Sequence, residues 1–194
     1  MKLKTFIIRI FIFLIFSVIF SSCATTKIQH STSPVYVTNT NKVYILPPNQ
    51  MTGVVDEMQV LVGKFGNTSF TFFSYFQSDS SRLLISLFNE FGTDMGSLFY
   101  DGNKVEFNSP YFPKNLRCEY IILDIQNAYY KTESLKSLYE NCGLMFEEET
   151  ANESRIRRIK NQEKIIEEIT IKPESVKIVN YLRGYEYNLS KVED

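Results

Sequence analysis

The sequence contains one histidine, no tryptophan and three cysteines among 194 residues. The histidine, His30, lies in a short polar stretch near the N-terminus, so the rest of the chain offers no Ser-His-Asp or Cys-His arrangement. Cys118 and Cys142, with no histidine near them, do not make a zinc ligand set. We therefore expect no enzyme activity, no cofactor and no metal site.

An excess of charge of one sign is also lacking. The formal net charge is -1, the pI is near 6.0, and the positive residues are scattered along the chain. This distribution gives no electrostatic footprint for nucleic acid, and we exclude nucleic acid as a partner.

The first residues have the pattern of a lipoprotein export signal. Lys2, Lys4 and Arg9 precede an apolar run that is too short to span a bilayer comfortably, and small residues stand directly before Cys23. The pattern predicts cleavage before Cys23 and attachment of lipid to its thiol. The alternative is an uncleaved membrane anchor.

This signal divides the chain into three parts. Residues 1–22 are predicted to be the signal peptide, residues 23–33 a lipidated flexible tether, and residues 34–194 a single domain. Two or more acyl chains hold a protein stably on a membrane. In the bacterial sorting system that the signal resembles, Ala24 in place of Asp directs the protein to the outer membrane, and we expect it to face the periplasm.

The two remaining cysteines leave two alternatives open. In an oxidising compartment Cys118 and Cys142 can form a disulfide, which would contribute about 3 kcal/mol by closing the loop between them. Otherwise they are two separately buried thiols.

The dominant hydrophobic period along the chain is two, which predicts about a dozen strands in a mostly antiparallel sheet. Asp101 and Gly102 predict the clearest hairpin. Residues 115–142 break this pattern with helical spacing and predict two short helices. Thr132 or Ser134 is expected to cap the second helix, and Gly143 to end it. The fold class is therefore mainly β with a short helical insertion.

Two predicted strands are apolar on both faces, at residues 69–77 and 82–89. This pattern fits either central strands buried on both sides or a sheet that lines a lipid-accepting hollow. For the hollow, the predicted ligand-binding residues are Phe70, Phe72, Phe76, Leu83, Ile85 and Leu87 on the strands, with Leu123 and Leu135 on the helical cover.

We interpret the charged residues between positions 147 and 160 as structural rather than catalytic. Glu147, Glu148 and Glu149 are consecutive residues of a strand, which favours a solvated edge over a carboxylate pair. The basic residues at positions 155–160 are interpreted as charges that guard an exposed strand.

Four short motifs carry a resemblance to a known family: ILPP at 45–48, GSLFYDG at 96–102, LDIQ at 123–126 and NYLRGYEY at 180–187. Together they resemble a family of bacterial lipoproteins of uncharacterised function, often encoded beside aryl-polyene and fatty-acid-like biosynthesis genes. That family is similar to the lipoprotein carriers LolA and LolB. The resemblance implies an incomplete antiparallel β-barrel covered by helices, with an apolar cavity that receives acyl chains. The chain departs from the family pattern after the helix motif, where Tyr129 and Tyr130 stand near the position of the usual tryptophan.

These observations lead to two functional hypotheses. The first is a lipid-anchored binding protein that holds acyl or polyene lipid, or a lipoprotein's acyl chains, for transfer to the outer membrane. The second is a structural or interaction lipoprotein that docks onto an envelope protein assembly. The expected partners are an acyl-chain lipid or lipoprotein, the membrane through the anchor, and, in the second hypothesis, an envelope protein.

Overall fold

The computed structural model describes residues 33–112 and 116–192. The predicted signal peptide and nearly all of the predicted tether, including Cys23 and His30, lie outside the described residues.

The described chain is built mainly of strands, with two helices in its middle. The strands are β1 (Val35–Tyr36), β2 (Lys42–Val43), β3 (Val55–Phe65), β4 (Thr68–Ser78), β5 (Leu83–Phe88), β6 (Asp94–Tyr100), β7 (Val105–Asn108), β8 (Met145–Ala151), β9 (Ser154–Asn161), β10 (Lys164–Lys172), β11 (Ser175–Asn180) and β12 (Tyr185–Lys191). The helices α1 (Cys118–Tyr129) and α2 (Thr132–Glu140) connect β7 to β8. This arrangement confirms the predicted fold class.

Ten strands form one antiparallel sheet in the order β7-β6-β5-β4-β3-β12-β11-β10-β9-β8, while β1 and β2 pair with each other. In the described chain β7 and β8 stand at the two ends of the sheet, so the barrel is not closed. Helix α1 contacts β7 at one end and β10 and β11 towards the other. The sheet therefore curves around this helix as an incomplete barrel.

The turns lie at two opposite ends of the sheet, which we call the upper and lower rims. The upper rim contains the turns after β3, β5, β9 and β11 and the chain that follows β7. The lower rim contains the turns after β4, β6, β8 and β10. Helix α1 begins shortly after the chain leaves the upper rim.

Local turn chemistry fixes the hairpins. Between β6 and β7, the Asp101 side chain accepts hydrogen bonds from the backbone N–H groups of Asn103 and Lys104 at 2.9 and 2.8 Å, and Gly102 has a φ of 95°. The hairpin predicted from Asp101 and Gly102 is confirmed.

The helix ends match the sequence expectation in part. Gly143 has a φ of 80°, and its N–H and that of Leu144 donate to carbonyls of the last turn of α2. The predicted side-chain cap of α2 was wrong, because Lys131 is the N-cap and makes no side-chain cap hydrogen bond. Thr132 donates its hydroxyl to Glu148, and Ser134 donates to Gln50.

The core lies between the helices and the inner face of the sheet, which is the face turned towards α1. Alternate residues of each strand point inwards, and the innermost of them are fully buried against α1 and α2. They include Phe76, Leu83, Leu98 and Ile178 on the sheet, packed in one hydrophobic cluster that also contains helix residues such as Ile122.

The outer face of the sheet has two different halves. On β8 to β10 it carries ion pairs, with Lys160 2.9 Å from Glu147 and Arg158 2.6 Å from Glu168. On β3 to β6 it is apolar and half-buried, with side chains that pair across neighbouring strands: Val60 and Phe73, Phe73 and Phe88, and Leu84 and Phe99. This apolar half explains why both faces of β4 and β5 are apolar in the sequence.

The interpretation of the charged segment was wrong for strand β9, and within β8 for Glu148. Arg157 is 1% exposed and Glu148 is half-buried, and both point towards the helices. Strand β9 lies between β8 and β10, so it is not an edge of the sheet. Alternation along β8 and β9 turns these two residues inwards while their neighbours pair on the outer face.

The cysteine alternatives are decided in favour of free thiols. Cys118 is buried at the start of α1 and Cys142 is half-buried after α2, and no bond joins them. Burial raises the pKa of the Cys118 thiol to about 11, so this thiol is a poor nucleophile at neutral pH.

Candidate functional site

The predicted ligand-binding residues separate into two groups. Four of them belong to the fully buried core: Phe76, Leu83, Leu123 and Leu135. The other four are half-buried on the inner face: Phe70, Phe72, Ile85 and Leu87. The structure therefore brings Phe70, Phe72 and Leu87 together near the upper rim, whereas Ile85 lies opposite Phe76 further down the sheet and packs against the core.

Four aromatic rings form a continuous row on the inner face near the upper rim. The ring centroids of Phe70 and Phe72 are 5.5 Å apart, those of Phe72 and Phe112 are 6.0 Å apart, and those of Phe107 and Phe112 are 5.8 Å apart. All four side chains are half-buried. We call this row, with Leu87 beside it, the aromatic cleft.

A glycine makes room for one end of the aromatic cleft. Gly63 is the cross-strand partner of Phe70, and a Cβ atom at Gly63 would lie 2.1 Å from the Phe70 ring. The ring therefore lies directly on the backbone of β3, which only glycine permits at this position.

A polar group without a partner lies at the floor of the aromatic cleft. Ser74 follows Phe72 on the inner face of β4 and is opposite Leu87 on β5. It is 1% exposed, and in the described part of the chain its hydroxyl has no hydrogen-bond partner. Buried polar atoms are normally hydrogen-bonded, so this unpaired hydroxyl is an exception within the described part of the chain.

The other half of the inner face is polar and is closed by α1. Asp124 on α1 accepts hydrogen bonds from the hydroxyls of Tyr185, at 2.8 Å, and Tyr187. Glu167 on β10 accepts from the side-chain amides of Asn127, at 2.8 Å, and Asn180, at 2.9 Å. These groups attach α1 to β10, β11 and β12.

Asp124 and Glu167 also interact with each other. Burial and then the negative charge of Glu167 raise the pKa of Asp124 well above its ordinary value. Burial also raises the pKa of Glu167, although its hydrogen bonds to Asn127 and Asn180 lower it in part. The pKa values of both carboxyls are therefore raised, and burial is the largest cause for each.

A cavity of about 10 Å³ adjoins this carboxyl pair, bordered by Leu123, Tyr139 and Asn180 among other residues. That volume is close to what one water molecule needs. The lining contains Asp124 and Glu167, but both already make several hydrogen bonds within the protein. The arrangement serves to hold α1 in place and leaves little room for a substrate.

A buried arginine fixes the junction of the two helices. Arg157 donates to the carboxylate of Glu148 at 2.6 Å and to the backbone carbonyls of Asn127 and Ala128 at 2.8 and 3.1 Å. These carbonyls belong to the last turn of α1, where a positive charge is favourable. Burial of Glu148 pushes its pKa up, but the hydrogen bond and charge of Arg157 outweigh this effect, so the net pKa is lowered.

A groove of about 440 Å³ lies outside the core, between α2 and residues 46–50. Its apolar part is formed by Leu46, Pro47 and Leu138, and polar side chains such as Gln50 and Glu133 border it. This groove is separate from the aromatic cleft.

Within 33–112 and 116–192, no cluster of histidine, cysteine, aspartate or glutamate side chains is arranged to hold a metal ion. In the same ranges, no helix combines the length and apolar character needed to cross a bilayer.

Several residues of the site were missed from the sequence. Phe107 and Phe112 were not predicted to line the cleft, although their apolar character was a usable signal. Asp124 and Glu167 were not predicted as a pair, because they lie on a helix and a strand that are distant in sequence. Nothing in the sequence marked the Ser74 hydroxyl as unpaired. The alternation of β4 predicted only that Ser74 shares a face with Phe70 and Phe72.

The fold and the site define a mainly-β protein with an open antiparallel sheet, a helical cover and an aromatic cleft at one rim. The chain belongs to the family described as a protein of unknown function, DUF3261, whose model matches residues 56–193. This match covers the whole ten-stranded sheet apart from the first residue of β3, and both helices. No curated protein matches the sequence.

Proposed function

We propose that this protein is a lipid-anchored binding protein that holds acyl or polyene chains, or the acyl chains of a lipoprotein, during transfer to the outer membrane. The observation that carries this proposal is the aromatic cleft, a row of half-buried rings on the inner face of the sheet near the upper rim. In this function no covalent bond is made or broken. The relationship to the carriers LolA and LolB that the sequence motifs indicate is part of the same proposal.

Burial of apolar surface supplies the driving force. Each Å² of apolar surface removed from water contributes about 25 cal/mol, less the cost of immobilising the ligand. Phe70, Phe72, Leu87, Phe107 and Phe112 offer flat apolar surface that is only half-buried without a ligand. The unpaired hydroxyl of Ser74 supports a ligand with a polar group at one end, since one hydrogen bond would satisfy it.

The membrane anchor is proposed at Cys23, with the mature protein at the outer membrane and facing the periplasm. The support comes from the basic, apolar and small residues that precede Cys23. A doubly or triply acylated cysteine holds its protein on the membrane stably.

A pair of neighbouring substitutions tests the cleft. Phe72 lies on the inner face and Phe73 on the outer face of β4, and both are half-buried. In a chain that starts at Ala24, which retains the entire described core, we expect Phe72→Thr to weaken binding of a fluorescent fatty acid about tenfold, because it removes one large apolar contact. Phe73→Thr is the matched control and should bind as the unchanged chain does.

Mass spectrometry of lipids extracted from the purified chain gives a second readout. We expect acyl or polyene lipid in the extract, and less of it from the Phe72→Thr variant. An empty extract together with no binding of the fluorescent fatty acid would contradict the proposal.

The groove beside α2 favours a second candidate, an interaction lipoprotein that scaffolds an envelope assembly. Its apolar floor and polar border fit a protein segment better than a lipid chain. A photo-cross-linking residue at Ser137, which lines the groove, tests this candidate. Capture of one protein in stoichiometric amount, with no lipid in the extract, would favour scaffolding over lipid binding.

A further inference from the structure

Large apolar side chains are exposed at one end of the sheet. At the upper rim, Phe65 is 63% exposed at the end of β3, Phe91 is 83% exposed in the turn after β5, and Tyr181 is 53% exposed in the turn after β11. Tyr111, in the segment after β7, is also exposed. At the strand ends of the lower rim the exposed large apolar residues of the described chain are the aliphatic Val54 and Val192, while the exposed Tyr44 lies between β2 and the segment that packs on the lower-rim turn at Gly102. The two rims therefore differ in the character of their exposed side chains.

The turn that carries Phe91 is held in a defined conformation. The Asn89 side chain accepts hydrogen bonds from the N–H groups of Phe91 and Thr93 at 3.0 and 2.9 Å. The Asn89 N–H donates to the Thr93 carbonyl at 3.0 Å, and Gly92 has a φ of 75°. This turn presents the largely exposed Phe91 ring to the surroundings.

The rings at the upper rim extend across several strands. The positions of Tyr111, Phe91, Phe65 and Tyr181 span the sheet from β7 to β11, which are seven neighbouring strands. Aromatic side chains on separate turns at one end of a molecule are typical of a surface that meets the boundary between water and lipid, where amphipathic rings are favoured.

The chain outside the structure leaves from the same rim. The Pro34 carbonyl accepts a hydrogen bond of 2.8 Å from Arg117, which precedes α1, and the Tyr36 carbonyl accepts one from Arg183 in the turn after β11. Residues 24–33 separate this point from Cys23. Ten extended residues reach at most about 36 Å, so an anchor at Cys23 holds this exit point, which lies at the upper rim, within that distance of the bilayer.

From these observations we infer that the upper rim is a bilayer-docking surface, with the rings of Phe91, Tyr181, Phe65 and Tyr111 inserted into the lipid headgroup region. In this orientation the aromatic cleft opens towards the membrane. The orientation rests on the proposed anchor at Cys23, whereas the lipid affinity of the rings does not depend on it.

The lack of tryptophan in the sequence provides a direct test. Phe91→Trp and Tyr181→Trp each introduce a single tryptophan at the upper rim, and Val54→Trp introduces one at the lower rim as the matched control. The full lipidated chain carrying each substitution is reconstituted into phosphatidylcholine vesicles whose acyl chains are brominated. We expect bromine to quench the tryptophan emission of both upper-rim variants and to leave that of Val54→Trp unchanged. Emission from the upper-rim tryptophans that is unquenched and water-like would overturn the inference.

A second experiment tests membrane binding by the upper rim separately from the anchor at Cys23 and from ligand binding in the aromatic cleft. The chain that starts at Ala24 has no anchor, and we expect it to float with phosphatidylcholine vesicles through the rim alone. The double substitution Phe91→Ser and Tyr181→Ser should lower this binding at least about tenfold, while Val54→Ser has no effect. Fatty-acid binding by the same variants reports on the cleft and should stay unchanged. No difference between the upper-rim and lower-rim variants in flotation would refute the docking surface even if fatty acid binds.

Discussion

At the residue scale, Asp124 and Glu167 have different roles within one hydrogen-bond network. Asp124 accepts hydrogen bonds from two tyrosine hydroxyls on a single carboxyl oxygen. Glu167 instead accepts one amide N–H group on each of its two oxygens. The two carboxyls are therefore not equivalent, and their amide variants should behave differently.

We predict that Glu167→Gln destabilises the protein much more than Asp124→Asn. Asn127 and Asn180 donate to different oxygens of Glu167, so the N–H₂ group of a glutamine must face one of these two donors, which leaves buried donors unpaired and costs about 3 kcal/mol. An asparagine at position 124 keeps one oxygen to accept from both tyrosines, so we expect a change within about 1 kcal/mol. Urea denaturation measures both free energies of unfolding, and equal losses would contradict these hydrogen-bond roles.

The carboxyl pair also illustrates what the sequence does not reveal. Glu167 points inwards by the alternation of β10, but the register of β10 against β9 shifts between Ile165 and Glu167, so that Ile166 and Glu167 are both buried. A bulge of this kind interrupts the period of two. Asp124 lies opposite Glu167 because of the way α1 packs on the sheet, and no local sequence pattern encodes that packing.

At the scale of secondary-structure elements, most of the sheet could be predicted from the sequence. Strands β3 to β12 have alternating or apolar patterns because one face of each strand lies on the core. Both helices and the hairpin at Asp101 and Gly102 also have local signals. The helix cap at Thr132 or Ser134 was predicted wrongly, because their hydroxyls pair with side chains elsewhere in the fold.

The junction of α1 and α2 depends on Arg157. We predict that Arg157→Met lowers the free energy of unfolding by about 3 kcal/mol, because Glu148 and two helix carbonyls then lose their charged donor. Arg158→Met is the matched control, since Arg158 is in the same strand but pairs with Glu149 and Glu168 on the outer face. Pairs of that exposed kind contribute about 1 kcal/mol or less.

Hydrogen exchange locates the effect of the Arg157 substitution. We expect faster exchange of the backbone amides in the last turn of α1 and the first turn of α2, with the strands β3 to β6 unchanged. Faster exchange throughout the sheet, or an equal loss of stability in the Arg158→Met variant, would argue against a local junction.

At the scale of the whole molecule, the buried carboxyls determine how stability changes with pH. The folded-state pKa values of Asp124 and Glu167 are raised above their ordinary values of 3.8 and 4.5. Above these values the folded chain binds more protons than the unfolded chain, so their contribution to stability is fully present at lower pH. It is lost as the pH rises through the folded-state values.

We therefore predict that the free energy of unfolding is lower at about pH 8 than at about pH 5. Urea titrations monitored by circular dichroism at the two pH values measure this difference. The Asp124→Asn variant should show a smaller difference, because it removes one of the two titrating groups. A free energy of unfolding that rises over this range in the wild-type chain would contradict the assignment.

The site as a whole was less predictable than the fold. Phe70, Phe72, Ile85 and Leu87 were predicted on one face, and the structure has them on the inner face. The alternation could not distinguish them from Phe76 and Leu83, which share that face but lie in the closed core. Ile85 even lies directly opposite the fully buried Phe76, so burial depends on how the helices pack on the sheet, which the alternation does not encode.

The two edge strands of the sheet, β7 and β8, bear on the size of ligand that the proposed function would require the protein to hold. In the described chain, strand-to-strand hydrogen bonds run without a break from β7 through to β8, but none joins these two strands to each other. Separating them stretches side-chain contacts between α1 and β7 and leaves every ladder hydrogen bond intact. The width of the opening is thus set by soft contacts, so if the protein has the proposed function, the same backbone would accommodate thin and bulky hydrocarbon guests.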